Sequence, residues 1–415
     1  MTSPLARPRG AFRDAAAAKL ADARAQQALD QATGRFMSHR VAAWEEVEDV
    51  EALRDAGHEI RSRTIAELER HLRDFTRAVE VRGGTVHRCA TAADACAAIV
   101  EICRRAGARS AAKSKSMATE EIGLNEALEA AGVEVTETDL GEYILQLAGE
   151  HPAHIIGPAL EKTAEQVAEL FAQVEGAPVS SDLEQLTATA RRRLRETFLS
   201  ADVGITGANF GVAETGSIVL VENEGNARLV SALPRVHVAL MGMERVVPTL
   251  ADTAVLLRLL ARSATGQKLT SYTTVITGPR RPREQDGPDE LHVVVLDNGR
   301  SNLLRGPYRE MLNCIRCGAC INVCPVYRKA GGGAYGPVLS GPMGAILAPL
   351  LTGLDQAPDL PHASSLCGAC ARRSSPRTSA SRAPTSASRR PARSSWSRTR
   401  GTRGSCRRSP ACTWR

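Results

Sequence analysis

Cys314, Cys317, Cys320 and Cys324, with Pro325 directly after, follow the spacing C-x2-C-x2-C-x3-C-P. This run wraps iron–sulfur cubanes. Three thiolates at three-residue intervals curl round one cluster, and the fourth, turned away by the proline, serves a second. A protein with such a run moves electrons singly. Cys367 and Cys370 repeat the C-G-A-C of residues 317–320, but Ser374 stands where the pattern calls for another cysteine, and Pro376 comes one place late. The expected ligand sets are therefore Cys314, Cys317 and Cys320 for one cubane, and Cys324, Cys367 and Cys370 for the other, whose fourth position is open or filled by another group. Paired C-x2-C is also zinc spacing, which would use Cys314, Cys317, Cys367 and Cys370. Zinc leaves Cys320 and Cys324–Pro325 unexplained, so the cluster is preferred.

Three further segments carry polar groups suited to chemistry. Lys113-Ser114-Lys115-Ser116 precedes a helix start, where free N–H groups favour an anion; the other reading is a capped helix with exposed lysines. Glu137, Asp139 and Glu142 gather at the end of an expected strand, where open α/β sheets build sites. Gly207–Ser217 is a glycine-studded loop containing Glu214, which could act as nucleophile or base or simply cap a neighbouring element in a tight turn. His151, His154 and His237 are isolated and read as ordinary polar residues. No G-x-G-x-x-G joins an expected strand to a helix, hence no nicotinamide or flavin site is argued.

The elements that must position these residues are legible in outline. Residues 1–80 read as a helical arm, with helix formers over Ala15–Ala32 and a capping box at Thr64 and Glu67 opening a helix over Ile65–Val79. Residues 81–300 alternate. Helical stretches (Thr91–Arg105, Ser116–Ala131, Gly157–Val174, Asp182–Leu199) separate apolar runs (Val133–Thr138, Ile155–Ile156, Val203–Ile205, Ser217–Glu222, Val236–Met241, His292–Leu296). The alternation predicts an α/β domain with a mostly parallel sheet buried on both faces. Gly132 is expected to end a helix just before a strand. Residues 301–370, rich in Cys, Gly and Pro, read as short helices whose turns carry the ligands.

The chain has 415 residues, enough for two or three domains. Its 3% aromatic content argues against a base-stacking surface. Cys89, Cys96 and Cys103 recur every seven residues, too far apart for one metal, and read as small apolar residues. The formal charge of +7 is misleading, because residues 371–415 hold 13 Arg and no Lys, Asp or Glu. Outside that tail, 40 basic residues face 46 acidic ones. The Arg/Ser/Pro-rich tail cannot bury a core. Its abrupt onset within a ligand motif reads as an out-of-frame translation, the alternatives being a disordered segment or a nucleic-acid-binding arm. No run approaches the roughly 20 apolar residues of a membrane span, and clustered cysteines suit a reducing compartment. The expectation is a cytoplasmic protein with neither a nucleic-acid partner nor a transmembrane segment.

Residues 113–125 (KSKSMATEEIGLN), 135–144 (VTETDLGEYI), 207–218 (GANFGVAETGSI), 331–344 (GGGAYGPVLSGPMG), 364–370 (SSLCGAC) and the cysteine run together resemble the lactate utilization B family. These are iron–sulfur subunits of bacterial L-lactate oxidation systems. The resemblance covers about residues 10–370. It implies a LUD domain, distantly similar to the sugar-phosphate isomerase and CoA-transferase-like α/β fold, and an α-helical ferredoxin domain with two [4Fe–4S] clusters. It also implies partnership with a cysteine-rich CCG-domain subunit and a second LUD-domain subunit. The implied system converts L-lactate to pyruvate, with this chain relaying electrons. The missing cysteine at Ser374 and the substituted tail put complete cluster loading in question. A different reading makes the LUD domain itself an enzyme on a carboxylate or CoA-type substrate, with Glu214 as working acid and Lys113 or Lys115 holding the anion.

Overall fold

A computed structural model describes residues 4–363 except Ala153 and Pro337. Cys367, Cys370, Ser374 and the Arg/Ser tail lie outside the described residues. Ten strands are present among the described residues: β1 (Thr85–Cys89), β2 (Ser110–Lys113), β3 (Glu134–Glu137), β4 (Val203–Gly207), β5 (Phe210–Val212), β6 (Ser217–Glu222), β7 (Val236–Gly242), β8 (Val246–Val247), β9 (Tyr272–Ile276) and β10 (Glu290–Leu296).

Six of these form a parallel sheet in the order β1-β10-β7-β4-β2-β3. Strand β7 is buried along its whole length, as an apolar run covered on both faces must be. From β2 the chain winds outward to β3 at one edge, whereas from β4 it winds the other way, through β7. The ends of β2 and β4, at Lys113 and Gly207, thus flank the point where winding reverses. Open α/β sheets bind ligands at such a point. Gly204 on β4 is needed because a Cβ there would lie 1.9 Å from the Val230 carbonyl oxygen of the helix crossing above.

The apolar run Ser217–Glu222 belongs to a second sheet, ordered β8-β5-β6-β9, in which β6 runs antiparallel to β5 and β9. Only four residues separate β5 from β6. A parallel neighbour would need a crossover of about a dozen residues or more, so the short connection enforces a hairpin. Gly216 closes it at φ +69, with a would-be Cβ 2.5 Å from the backbone of Ala78.

Several boundaries differ from the sequence expectation. No helix starts at Thr64. The helix Val50–Ala66 is capped by Asp49, whose carboxylate accepts the Ala52 N–H at 2.9 Å, and the helix Leu68–Val81 follows. Leu53, Gly57, Ile60 and Thr64 form one buried face, which carries the helix past the proposed start. Thr64 donates instead to the Ile60 carbonyl at 2.6 Å. The expected helix over Ser116–Ala131 is broken at Gly123, φ +66, into Met117–Ile122 and Leu124–Ala130. Gly132 ends the second of these at φ +81, as expected. Residues 157–162 are turns, and the helix begins at Ala164 under a Thr163/Gln166 capping box. Ile155–Ile156 is a loop, not a strand. Cys89 and Cys103 are buried and Cys96 half-buried, and burial raises all three thiols, as small apolar residues require.

The arm helices Ala11–Ala21 and Ala23–Glu45 lie against the cysteine-bearing segment. Arg7 donates to the Gly333 carbonyl at 2.8 Å, Asp30 pairs with Arg328 and Lys329 at 3.2 and 3.0 Å, and Phe12 meets Tyr335 edge-on. One apolar core runs through all three regions, joining Leu29 of the arm, Phe75 and Met241 of the α/β region, and Ile321, Tyr327 and Met343 beside the cysteines. No helix among the described residues is long and apolar enough to cross a membrane.

Candidate functional site

The cysteine run is shaped by two left-handed residues. Arg316 has φ +59 and Gly318 φ +75, so the chain curls between Cys314 and Cys317 and turns into the short helix Ala319–Val323 that carries Cys320. A non-glycine residue in this region is uncommon and marks a functional position. Gly318 also admits the loop at Ile155–Ile156, whose side chains would lie 3.0–3.3 Å from a Cβ there. Cys324 follows the helix and is buried next to Tyr335, whose hydroxyl donates to the Ala363 carbonyl at 2.7 Å.

The donor set fits an iron–sulfur group. Burial, followed by the nearby Cys314, Cys317 and Cys324, pushes the Cys320 thiol up, so the four sulfurs share one electrostatic environment. The backbone amides of Ala319 and Met343 lower the Cys317 and Cys320 thiols, against the upward push of burial. Arg40 lies near the same two sulfurs, and its buried Nε has no partner among the described residues. Arg61 and Arg245 lie near Cys314. Thiolates bound to iron are anionic, and N–H donors and cations are the groups that accommodate them. Among the described residues no three His, Cys, Asp or Glu side chains close on one point as a single-ion site does; a cubane holds its ligand sulfurs further apart.

A cavity of about 310 Å³ adjoins this loop. One wall is the reversal point of the sheet, with Ser114–Ala118 after β2 and Gly207–Asn209 after β4; the facing wall carries Arg316, Cys317 and Met343. Beneath it lies a buried ion network. Arg300 is bidentate to Glu121, with both N–H···O distances 2.8 Å, and donates Nε–H to Glu244 at 2.6 Å. Burial pushes Glu244 up, but Arg300 and Arg316 outweigh it and hold the carboxylate down to about 2. Arg61, also buried, ties this floor to the cysteine loop by donating to the carbonyls of Val246 at 2.9 Å, Leu312 at 3.0 Å, and Glu244. These arginines and Glu244 drew no notice in the sequence. Arg316 occupies an unconstrained position of the cysteine motif, and its partners come from a 3-10 turn at Glu244 and a helix at Met343.

The lysines are not exposed helix-start residues. Lys113 is fully buried, 2.6 Å from Glu137 and 2.8 Å from Glu120. Burial alone lowers its ammonium, yet these carboxylates hold it above the ordinary range. Lys115 reaches Asp139 and the Ile156 carbonyl, each at 2.9 Å, and lines the cavity. Glu142 is buried without a partner for either oxygen among the described residues; burial and then Glu137 push its carboxyl well above the ordinary range. Glu214 sits exposed in the β5–β6 turn and accepts the Leu250 N–H at 3.1 Å, capping the helix Leu250–Ala264; it does not line the cavity. His154 is buried and bonded to Asn322 at 3.0 Å, and His237 to Thr206 at 2.8 Å.

A LUD domain model matches residues 72–296 and a 4Fe-4S dicluster domain model matches residues 310–373. A protein of Macrococcus caseolyticus named lactate utilization protein B is 50% identical over 360 residues, covering 86% of this chain and 76% of that one. One of the same name from Oceanobacillus iheyensis is 51% identical over 345 residues, covering 83% and 72%. A crystal structure of a DUF162 family protein from Deinococcus radiodurans superposes with TM-score 0.31 and 15% identity, covering 55% of this chain and 98% of that one. With a LUD domain followed by a cluster-type domain, and half its residues shared with these relatives over most of its length, the chain belongs to the lactate utilization protein B family.

Proposed function

We propose that the chain is the electron-relay subunit of an L-lactate to pyruvate oxidation system in the cytoplasm, working with a cysteine-rich CCG-domain subunit and a second LUD-domain subunit. A role in lactate utilization with an iron–sulfur component follows from family membership. The relay itself is supported by one observation: the four cysteines of the run sit together, Cys324 buried and the other three half-buried, with Arg40, Arg61 and Arg245 nearby. When bound, a cubane accepts and passes one electron at a time. Cys314, Cys317 and Cys320 would hold one cluster, and Cys324, with Cys367 and Cys370, the second. Arg40, Arg61 and Arg245 would offset the thiolate charge and so tune the potential. Ile321, fully buried between Cys320 and Cys324, packs the inner side of the loop into the core. Anaerobic reconstitution followed by reduction should give EPR signals of reducible cubanes and about eight iron atoms per chain when both sites fill. A chain that takes up zinc alone would end this reading.

A further inference from the structure

The cavity beside Cys317 has two unlike ends. Near the cysteine loop it is lined by Arg245, Arg300 and Arg316 against Glu121 and Glu244. Arg300 engages both carboxylates through its own N–H groups. Arg245 donates to the carbonyls of Cys314 and Ile315, each at 3.3 Å. Arg316 is left over. It approaches Glu244 only to 3.6 Å and otherwise reaches the Met343 sulfur at 3.3 Å, a weak acceptor. Three cations facing two carboxylates leave positive charge on this wall. A guanidinium with several free donors in a fixed fork is suited to a carboxylate. At the far end, Asp139, Glu222 and Glu224 form an acidic rim. Met117, Ile155 and Leu220 supply apolar surface for a short carbon body.

We propose that this chamber binds a small monocarboxylate, its carboxylate on Arg316 and its carbon end toward the apolar wall. Resting on the lactate-utilization reading, the ligand class is the three-carbon 2-hydroxy or 2-oxo acid. On that rim Lys115 pairs with Asp139, leaving Glu222 and Glu224 to repel a second carboxylate, so dicarboxylates are disfavoured. The same wall carries Cys317, which places the bound acid directly beside the cluster loop.

Calorimetry on the anaerobically reconstituted full chain tests this with L-lactate, pyruvate and L-malate as probes. Lactate or pyruvate should bind, malate should bind at least tenfold more weakly, and Arg316→Gln should weaken the bound acid at least tenfold. Met117→Trp fills the chamber from the β2 side without replacing a cysteine, and should abolish binding while iron content and the cubane signals stay unchanged. Absence of binding by a chain with intact cubane EPR signals would overturn the proposal and leave the relay standing. Equal affinity for malate, or unchanged affinity in both variants, would also overturn it. A preparation that lacks cubane signals yet binds lactate in an Arg316-dependent way would sustain the chamber and sink the relay.

Discussion

Acidification should loosen the junction between the LUD and cluster regions through one residue, His154. Its ring is 1% exposed, stacked on Phe36 of the arm and edge-on to Tyr327 beside the cysteines. Nδ1 accepts the N–H groups of Ile156 and Gly157 at 3.0 and 3.2 Å, so the proton sits on Nε2, which donates to Asn322 at 3.0 Å. A second proton would need to enter at Nδ1, against two donors. Burial pushes the imidazole from its ordinary 6.5 down to about 4. Between those values the unfolded chain binds the proton and the folded chain does not. The stabilisation is therefore complete above about pH 6.5 and is lost as pH falls toward 4. The displacement converts to about 3 kcal/mol. His237, pushed down to about 3 by burial, adds a parallel loss. A His154→Gln variant, which cannot titrate, isolates the contribution of His154. Urea unfolding from about pH 7.5 to about pH 4.5 should show wild type losing about 2.5 kcal/mol more than the variant. Identical pH profiles for the two proteins would refute the reasoning.

Three other outcomes follow from the same geometry. Replacing Arg300 by Met strands two buried carboxylates, Glu121 and Glu244, and should cost about 3–5 kcal/mol in urea unfolding. Replacing Cys324 by Ser should lower the iron content of the reconstituted chain by about half while leaving the signal of the other cluster, because the fourth cysteine of the run serves the second site. Replacing Gly204 by Ala drives a Cβ to 1.9 Å from the Val230 carbonyl oxygen, and should destabilise by about 3 kcal/mol, read as a lowered thermal midpoint.

What the sequence disclosed and what it withheld have physical causes. Metal ligation by neighbouring thiolates is written in local spacing, so the cysteine run stood out unaided. The parallel sheet was visible because strands such as Val236–Gly242 are buried on both faces and read as unbroken apolar runs. Gly132 was legible because only its own backbone decides its role. Thr64 misled because a capping box and a buried mid-helix threonine share the same letters, and the packing of Gly57 against Leu259 decides between them. The small strands β5 and β8 carry too few residues to show a period, and β9 is mostly exposed, so it lacks an apolar run. Lys113 looked available to an anion, yet Glu120 and Glu137 occupy it. Arg316 and Arg300 could not be found at all, since their meaning lies in Glu244 and Glu121, brought near only by the fold.

The continuous interior from Leu29 through Phe75 and Met241 to Tyr327 bears on how such a gene can be rearranged. Two recognisable modules meet between residues 296 and 310, yet that seam has no counterpart in the packing. A recombination event cutting there would expose Phe75, Met241 and Ile321 on the severed halves, and neither half would inherit a finished interior. The two modules are thus bound to travel as one heritable unit, together with the helices that precede them, and exchange with a foreign electron-carrying module would require redesign of both sides at once.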